Sequence, residues 1–153
     1  MSRTKFYYRD ADAPKPNKPN HIGTCIIIAL GEKILLEHRA DCDDVWGLIG
    51  GALEVNESCL DGIKREVLEE TGILLKDEEI EFFKIYDDPT RIIAYPDGNV
   101  LRSIAVVYRA KLDFIPPLKC SEESKALRFF QKNEITALNI AKVHQPILQD
   151  YFM

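Results

Sequence analysis

The sequence predicts an α/β domain in which a mixed sheet is covered on both faces by helices. Three observations predict it. Strand-length apolar runs lie both before and after one strongly patterned helix at 58–71, and a second helical stretch closes the chain at 140–152. The chain has 153 residues, the length of one domain with a proper core. Charged residues make up 29% and apolar residues 46% of it, which is ordinary for a globular protein.

Each element has its own reason. Residues 1–20 carry a Pro-rich polar stretch from Asp10 to Asn20, expected to be an extended arm lying on the domain or partly disordered. Tyr7 and Tyr8 stand in front of it as anchors or contact residues, and the domain proper runs over 21–153. Residues 23–30 and 33–38 read as two strands around a turn at Gly31-Glu32. An acidic loop follows at 40–44, and a short strand at 46–49 leads into the pair Gly50-Gly51. Further strands are expected at 80–86, 92–94, 100–112 and 127–131. The loop Asp87–Arg91, the turn Pro96–Asn99 and the pair Pro116-Pro117 punctuate them. The closing helix at 140–152 is expected to be interrupted near Pro146.

The helix at 58–71 carries the chemistry. Ser58 is a candidate N-cap with Asp61 three residues on, and Gly72 suits a left-handed C-cap. Leu60, Ile63 and Val67 form an apolar stripe. Beside it Glu66, Glu69 and Glu70 share one face, because positions three and four apart stack on a helix. Unopposed carboxylates repel, so either the face is simply solvated or a hard cation sits among them. Arg65, four residues before Glu69, can pair with it and fix its rotamer. Gly62 falls one turn before Glu66, either merely tolerated or leaving room for a ligand.

The segment Gly51-x5-Glu57-x7-Arg65-Glu66-Val67-x-Glu69-Glu70-x-Gly72-Ile73 fills every specified position of the Nudix box. The chain resembles the Nudix hydrolase superfamily on that account, most specifically over 46–73. Two neighbouring positions depart from the commoner pattern. Ile49 stands where many members have Pro, and Asn56 where many have Gly. Asn tolerates positive φ, so Asn56 can serve in the turn.

The resemblance implies an α/β/α sandwich and a Mg²⁺-dependent hydrolase, with Mn²⁺ as a substitute ion. It implies that the Gly50 carbonyl, Glu66 and Glu70 bind the metal. Glu69 is a further ligand or the general base, and Glu57 a ligand to an additional ion. Glu69 and Arg65 are thus the expected catalytic pair. The loop acids Asp97, Glu122 and Glu123 remain alternatives for the base, since some members use a distant loop. The implied reaction is cleavage of a pyrophosphate bond in a nucleoside diphosphate linked to another moiety. Nucleoside triphosphate pyrophosphohydrolysis is the alternative. A nucleotide-binding module without turnover is the rival from another class, disfavoured because every box carboxylate is present.

Substrate contacts are expected from Arg39, Arg91, Arg102 and Tyr95. Arg39 ends a strand close before the metal loop, where the family often places a phosphate-binding residue. His38 reads as a packed strand residue, and Trp46 as core rather than a stacking platform. Net charge is −5 with no long basic run, so nucleic acid is not an expected partner. No transmembrane-length apolar run and no signal-peptide core are present, so membrane partners are excluded and a cytoplasmic location is expected. Cys25, Cys42, Cys59 and Cys120 are far apart and read as free thiols. The N-terminal arm is a candidate for homodimer exchange.

Overall fold

The computed structural model describes residues 3–153, so Met1 and Ser2, part of the expected arm, lie outside the described residues. The strands in chain order are β1 (Lys5–Tyr7), β2 (His21–Leu30), β3 (Lys33–Arg39), β4 (Trp46–Gly47), β5 (Ile49–Ala52), β6 (Glu81–Tyr86), β7 (Ile92–Ala94), β8 (Val100–Leu112) and β9 (Ser124–Phe130). The helices are α1 (Cys59–Thr71), α2 (Lys132–Ile135) and α3 (Gln145–Tyr151), with short 3₁₀ turns at Asp77–Glu79 and Lys142–His144.

The sheet runs β1-β7-β8-β2-β3-β4, with β5 also on β2, β6 on β8 and β9 on β3. The pairing of β2 with β8 is parallel and every other strand pairing is antiparallel, which makes the sheet mixed as expected. Strand β2 is the hub. Its side chains alternate between faces, and both faces are buried, so it reads as a near-continuous apolar run. Ile26 and Ile28 pack with Ile63 and Val67 of α1 on one side. Cys25 and Ile27 pack with Trp46, Ile147 and Leu148 on the other. Two cores on opposite faces of one sheet make the α/β/α sandwich.

Several local expectations are met and some are corrected. Ser58 Oγ accepts from Asp61 N–H at 3.1 Å, and Gly72 adopts φ 80° with its N–H on Leu68. Asn56 takes φ 67° in the turn, the conformation a glycine would supply. Pro146 does not interrupt a helix but sits in the first turn of α3, where its missing N–H has no intrahelical partner to lose. The last strand begins at Ser124 rather than Leu127. The arm lies on the domain, the first of its two expected states: β1 adds to the edge of β7, and Asn17 bonds Val100 and Gly98. No helix among the described residues is long and apolar enough to cross a membrane.

Candidate active site

A cleft of about 890 Å³ opens where β5, α1, β3 and the loop before β9 meet the β7–β8 edge. Its polar end is built by close backbone approach. Gly50 and Gly51 on β5 lie directly across from Cys25 and Thr24 on β2. A Cβ on Gly50 would stand 2.1 Å from the Thr24 carbonyl oxygen, and one on Gly51 would stand 2.6 Å from Glu66 Oε1. Only glycines let this strand press against both β2 and the α1 carboxylates. Gly50 N–H donates to Glu70 Oε2 at 3.1 Å, which puts the glycine loop in register with the helix.

Glu66, Glu70 and Glu123 converge there, with one oxygen of each lying within 4.8 Å of the others. Glu66 and Glu70 are buried and Glu123 is exposed. The gathered set therefore combines two expected metal carboxylates with a loop acid that had been expected as a base alternative. Glu57 and Glu69, also expected as ligands, lie outside this triad. Glu57 is held by Arg65 and by the Glu54 N–H, which together pull its carboxyl down to about 2. Glu69 lies exposed at the cleft, its Oε2 3.2 Å from Arg65 Nη1. Of the remaining base alternatives, Glu122 lines the cleft, whereas Asp97 accepts bonds from Asn99 within its own turn and does not.

Arg65 is the organiser of this end. Its Nε and Nη2 donate to Glu57, its Nη1 to Glu66 and Glu69, and Nη2 also reaches the Ala52 carbonyl. Gly62 faces this loop rather than a ligand. A Cβ there would meet Leu53 Cδ2 at 2.5 Å and Glu57 Oε1 at 3.0 Å.

The crowding of like charge shows in the acidities. Burial pushes Glu70 up to about 10, with Glu37, Glu123 and Glu66 adding repulsion. Glu66 is raised by burial, against the pull of Arg65. Glu37, not anticipated as a site residue, is a strand glutamate only 2% exposed. Burial raises it to about 7, while the Ser124 hydroxyl, donating at 2.7 Å, and Arg39 work the other way. Glu66 and Glu70, two buried carboxyls with suppressed ionisation, stand beside a third oxygen donor, Glu123, and form a set that a divalent cation would complete.

The other expected contacts divide. Arg39 lines the cleft, fixed by two bonds to Asp41 at 2.9 and 2.8 Å, with Nη1 3.7 Å from Glu37. Tyr95 lines it from the loop after β7. Arg91 lines the floor of the cleft, 1% exposed, donating from Nε to Ser103 O and from Nη1 to Val143 O. Arg102 does not line the cleft. Its Nη2 donates to the Asp87 carbonyl, and its buried Nε has no partner among the described residues. Trp46 is core as expected, stacked on His38 at 4.5 Å and edge-on to Phe130. His144, a second unanticipated cleft residue, accepts from Leu48 N–H at Nδ1 and lies directly over Gly47. Burial, then the charges of Arg39 and Arg91, lower it to about 3, so the ring is neutral with its hydrogen on Nε2.

Comparison with known proteins agrees with this geometry. The profile of the NUDIX domain matches residues 19–151. An ADP-ribose pyrophosphatase of Methanocaldococcus jannaschii is 31% identical over 128 residues, covering 82% of this chain and 69% of that protein. A MutT-like protein of Streptomyces ambofaciens is 31% identical over 111 residues, covering 72% of this chain and 63% of that one. Among solved structures, a MutT/nudix family protein from Enterococcus faecalis superposes with TM-score 0.61 at 27% identity, over 78% of this chain and 46% of that one. A bifunctional NMN adenylyltransferase/ADP ribose pyrophosphatase from Francisella tularensis gives TM-score 0.73 at 24% identity, over 90% of this chain and 42% of that one. At that identity the likeness speaks for the fold.

Proposed function

The chain belongs to the NUDIX domain family, and on that premise we propose a Mg²⁺-dependent hydrolase that cleaves the pyrophosphate bond of a nucleoside diphosphate linked to another moiety. ADP-ribose and nucleotide sugars are the first substrates to consider, and Mn²⁺ is the substitute ion. One observation carries the reading: Glu66, Glu70 and Glu123 converge within 4.8 Å at one end of a cleft sized for such a molecule. The likeness to the archaeal ADP-ribose pyrophosphatase supports the substrate class.

The residues divide the work as follows. Glu66, Glu70 and Glu123 would hold the cation, with the carbonyl of Gly50, whose N–H donates to Glu70, as a further ligand. A bound Mg²⁺ supplies charge neutralisation at the diphosphate and acidifies water. Arg65 orients Glu66 and Glu69 through its Nη1. Glu69, exposed at the cleft and outside the carboxylate triad, takes the proton from the attacking water, with Glu122 as the loop alternative. Arg39, pinned by Asp41, offers its remaining Nη1 to a phosphate oxygen. Nucleoside triphosphate pyrophosphohydrolysis, which the same box and carboxylate triad would serve, is the second reading.

The test is a hydrolysis panel with Mg²⁺: ADP-ribose, other nucleotide sugars, dinucleoside polyphosphates, NADH, and normal and oxidised dNTPs, with Glu70→Gln as the blank. Preferred cleavage of a linked diphosphate by the unaltered protein alone is the expected result. Preferred cleavage of a dNTP would establish the second reading instead. Metal-dependent binding without turnover of any member would overturn both.

A further inference from the structure

Residues 3–9 precede the stretch that the NUDIX profile matches, yet Phe6 among them lines the cleft. Strand β1 pairs antiparallel with β7, and Phe6 stands directly across from Ile93. Directly opposed residues project to the same face, and so does the residue two further along, Tyr95. All three line the cleft. The Arg39 guanidinium lies over the Phe6 ring at 4.9 Å, and Arg39 Nη1 is 3.7 Å from Glu37. Glu37 in turn is one of the charges acting on Glu70. A continuous series of groups thus runs from the carboxylate triad through Arg39 to an aromatic wall.

The arm is held in place at several points. Thr4 N–H donates to the Asp41 carbonyl at 3.2 Å, Cys42 Sγ donates to the Thr4 carbonyl at 3.4 Å, and Arg3 Nε pairs with Asp43 at 2.9 Å. Asn17 then bonds Val100 through its own N–H and through its side-chain oxygen. Phe6 is therefore presented from an anchored strand. Its ring is half-buried and Tyr95 is exposed, so apolar surface faces an otherwise polar, charged cleft. A flat ring seated on that surface would remove it from water.

We propose that the N-terminal strand is a specificity element in which Phe6, with Ile93 and Tyr95, seats the planar ring of the substrate. The ring is the nucleobase, and Arg39 beside it takes the adjoining phosphate. This rests on the diphosphate-hydrolase reading and adds what the far end of the cleft recognises.

The experiment compares the unaltered protein with Phe6→Leu and Phe6→Ala by calorimetric titration in Mg²⁺. The probes are ADP, which has the ring, and methylene diphosphonate, which lacks it. The proposal expects ADP affinity to fall about 10-fold in Phe6→Ala and less in Phe6→Leu, with diphosphonate affinity unchanged. Retained diphosphonate binding also shows that the variants are folded. An equal fall for both probes would overturn the proposal, making Phe6 a prop for Arg39. Unchanged ADP affinity would overturn it too, making Phe6 a packing residue. Diphosphonate binding by the unaltered protein reports on the hydrolase reading alone, and the ratio of the two affinities across the variants reports on the wall alone.

Discussion

Arg65 and Glu57 meet at two points, Nε to Oε2 at 2.7 Å and Nη2 to Oε1 at 2.9 Å, while the third guanidinium nitrogen reaches Glu66 and Glu69. A planar fork with fixed donor directions is needed to serve three carboxylates at once, and an ammonium cannot reproduce it. Glu57 therefore acts as the anchor that sets the orientation of Arg65, and through it of Glu66 in the carboxylate triad. Arg65→Lys is expected to retain the fold and to lower kcat/KM by about 10- to 100-fold, the usual cost of losing a partner behind a metal ligand. Steady-state kinetics at saturating and limiting Mg²⁺ would check it, and a rate within twofold of the unaltered protein would sink the role.

The two neighbouring glycines should fail differently. At Gly51 an alanine methyl would meet the end of the Glu66 side chain, which can move. Gly51→Ala is expected to fold and to bind Mg²⁺ weakly. At Gly50 the methyl would meet backbone atoms of Thr24 and Cys25, which cannot yield without parting β5 from β2. Gly50→Ala is expected to lower Tm sharply. Thermal melts beside metal titrations separate the two, and the reverse pattern would contradict the geometry.

Glu37 contributes to the pH dependence of the metal-free protein, beside Glu70 and Glu66, which are raised too. Its folded pKa, about 7, lies above that of an ordinary carboxyl near 4.5, so the folded state binds the proton more tightly than the unfolded one. Its favourable contribution is full below pH 4.5 and is lost as pH rises through about 7. With chelator present, Tm should fall over that window, and Glu37→Gln should lessen the fall, with Glu70 carrying what remains. An unchanged slope in that variant would remove Glu37 as a cause.

Glu69 and Glu123 are separable by their coordination. Glu123→Gln removes a member of the triad and should raise the Mg²⁺ concentration needed for half-maximal rate. Glu69→Gln should lower kcat with that concentration nearly unchanged, as expected for a group acting only in the transition state. Swapped outcomes in a Mg²⁺ titration of rate would exchange the two assignments.

The helix face and its caps were legible because their causes are local: a 3.6-residue period, Ser58 before it, Gly72 after it, and an asparagine able to take φ 67° at Asn56. Glu37 and His144 were not. Glu37 sits among strand residues as any solvent-face glutamate would, and what buries it is β9, whose Ser124 arrives from far along the chain. His144 is recruited by the backbone of Leu48, a partner no short-range pattern announces. Arg91 and Arg102 show the converse. Each is a plausible phosphate contact by position, but each spends guanidinium donors on backbone carbonyls that only the fold brings near: Ser103 of β8 and Val143 before α3 for Arg91, and Asp87 after β6 for Arg102.

The parallel seam between β2 and β8, which matches His21 with Ser103 and runs on to Leu30 and Leu112, bears on the order in which the protein acquires its shape. Chain ends that far apart must be brought together before the seam returns any energy, and such closures are slow. Helix α1 can flicker into being early from its own turns, whereas Glu123 reaches Glu66 and Glu70 only when β9 has docked on β3. The triad is accordingly completed late in refolding, and a cation held there would act on the final consolidation rather than the first collapse.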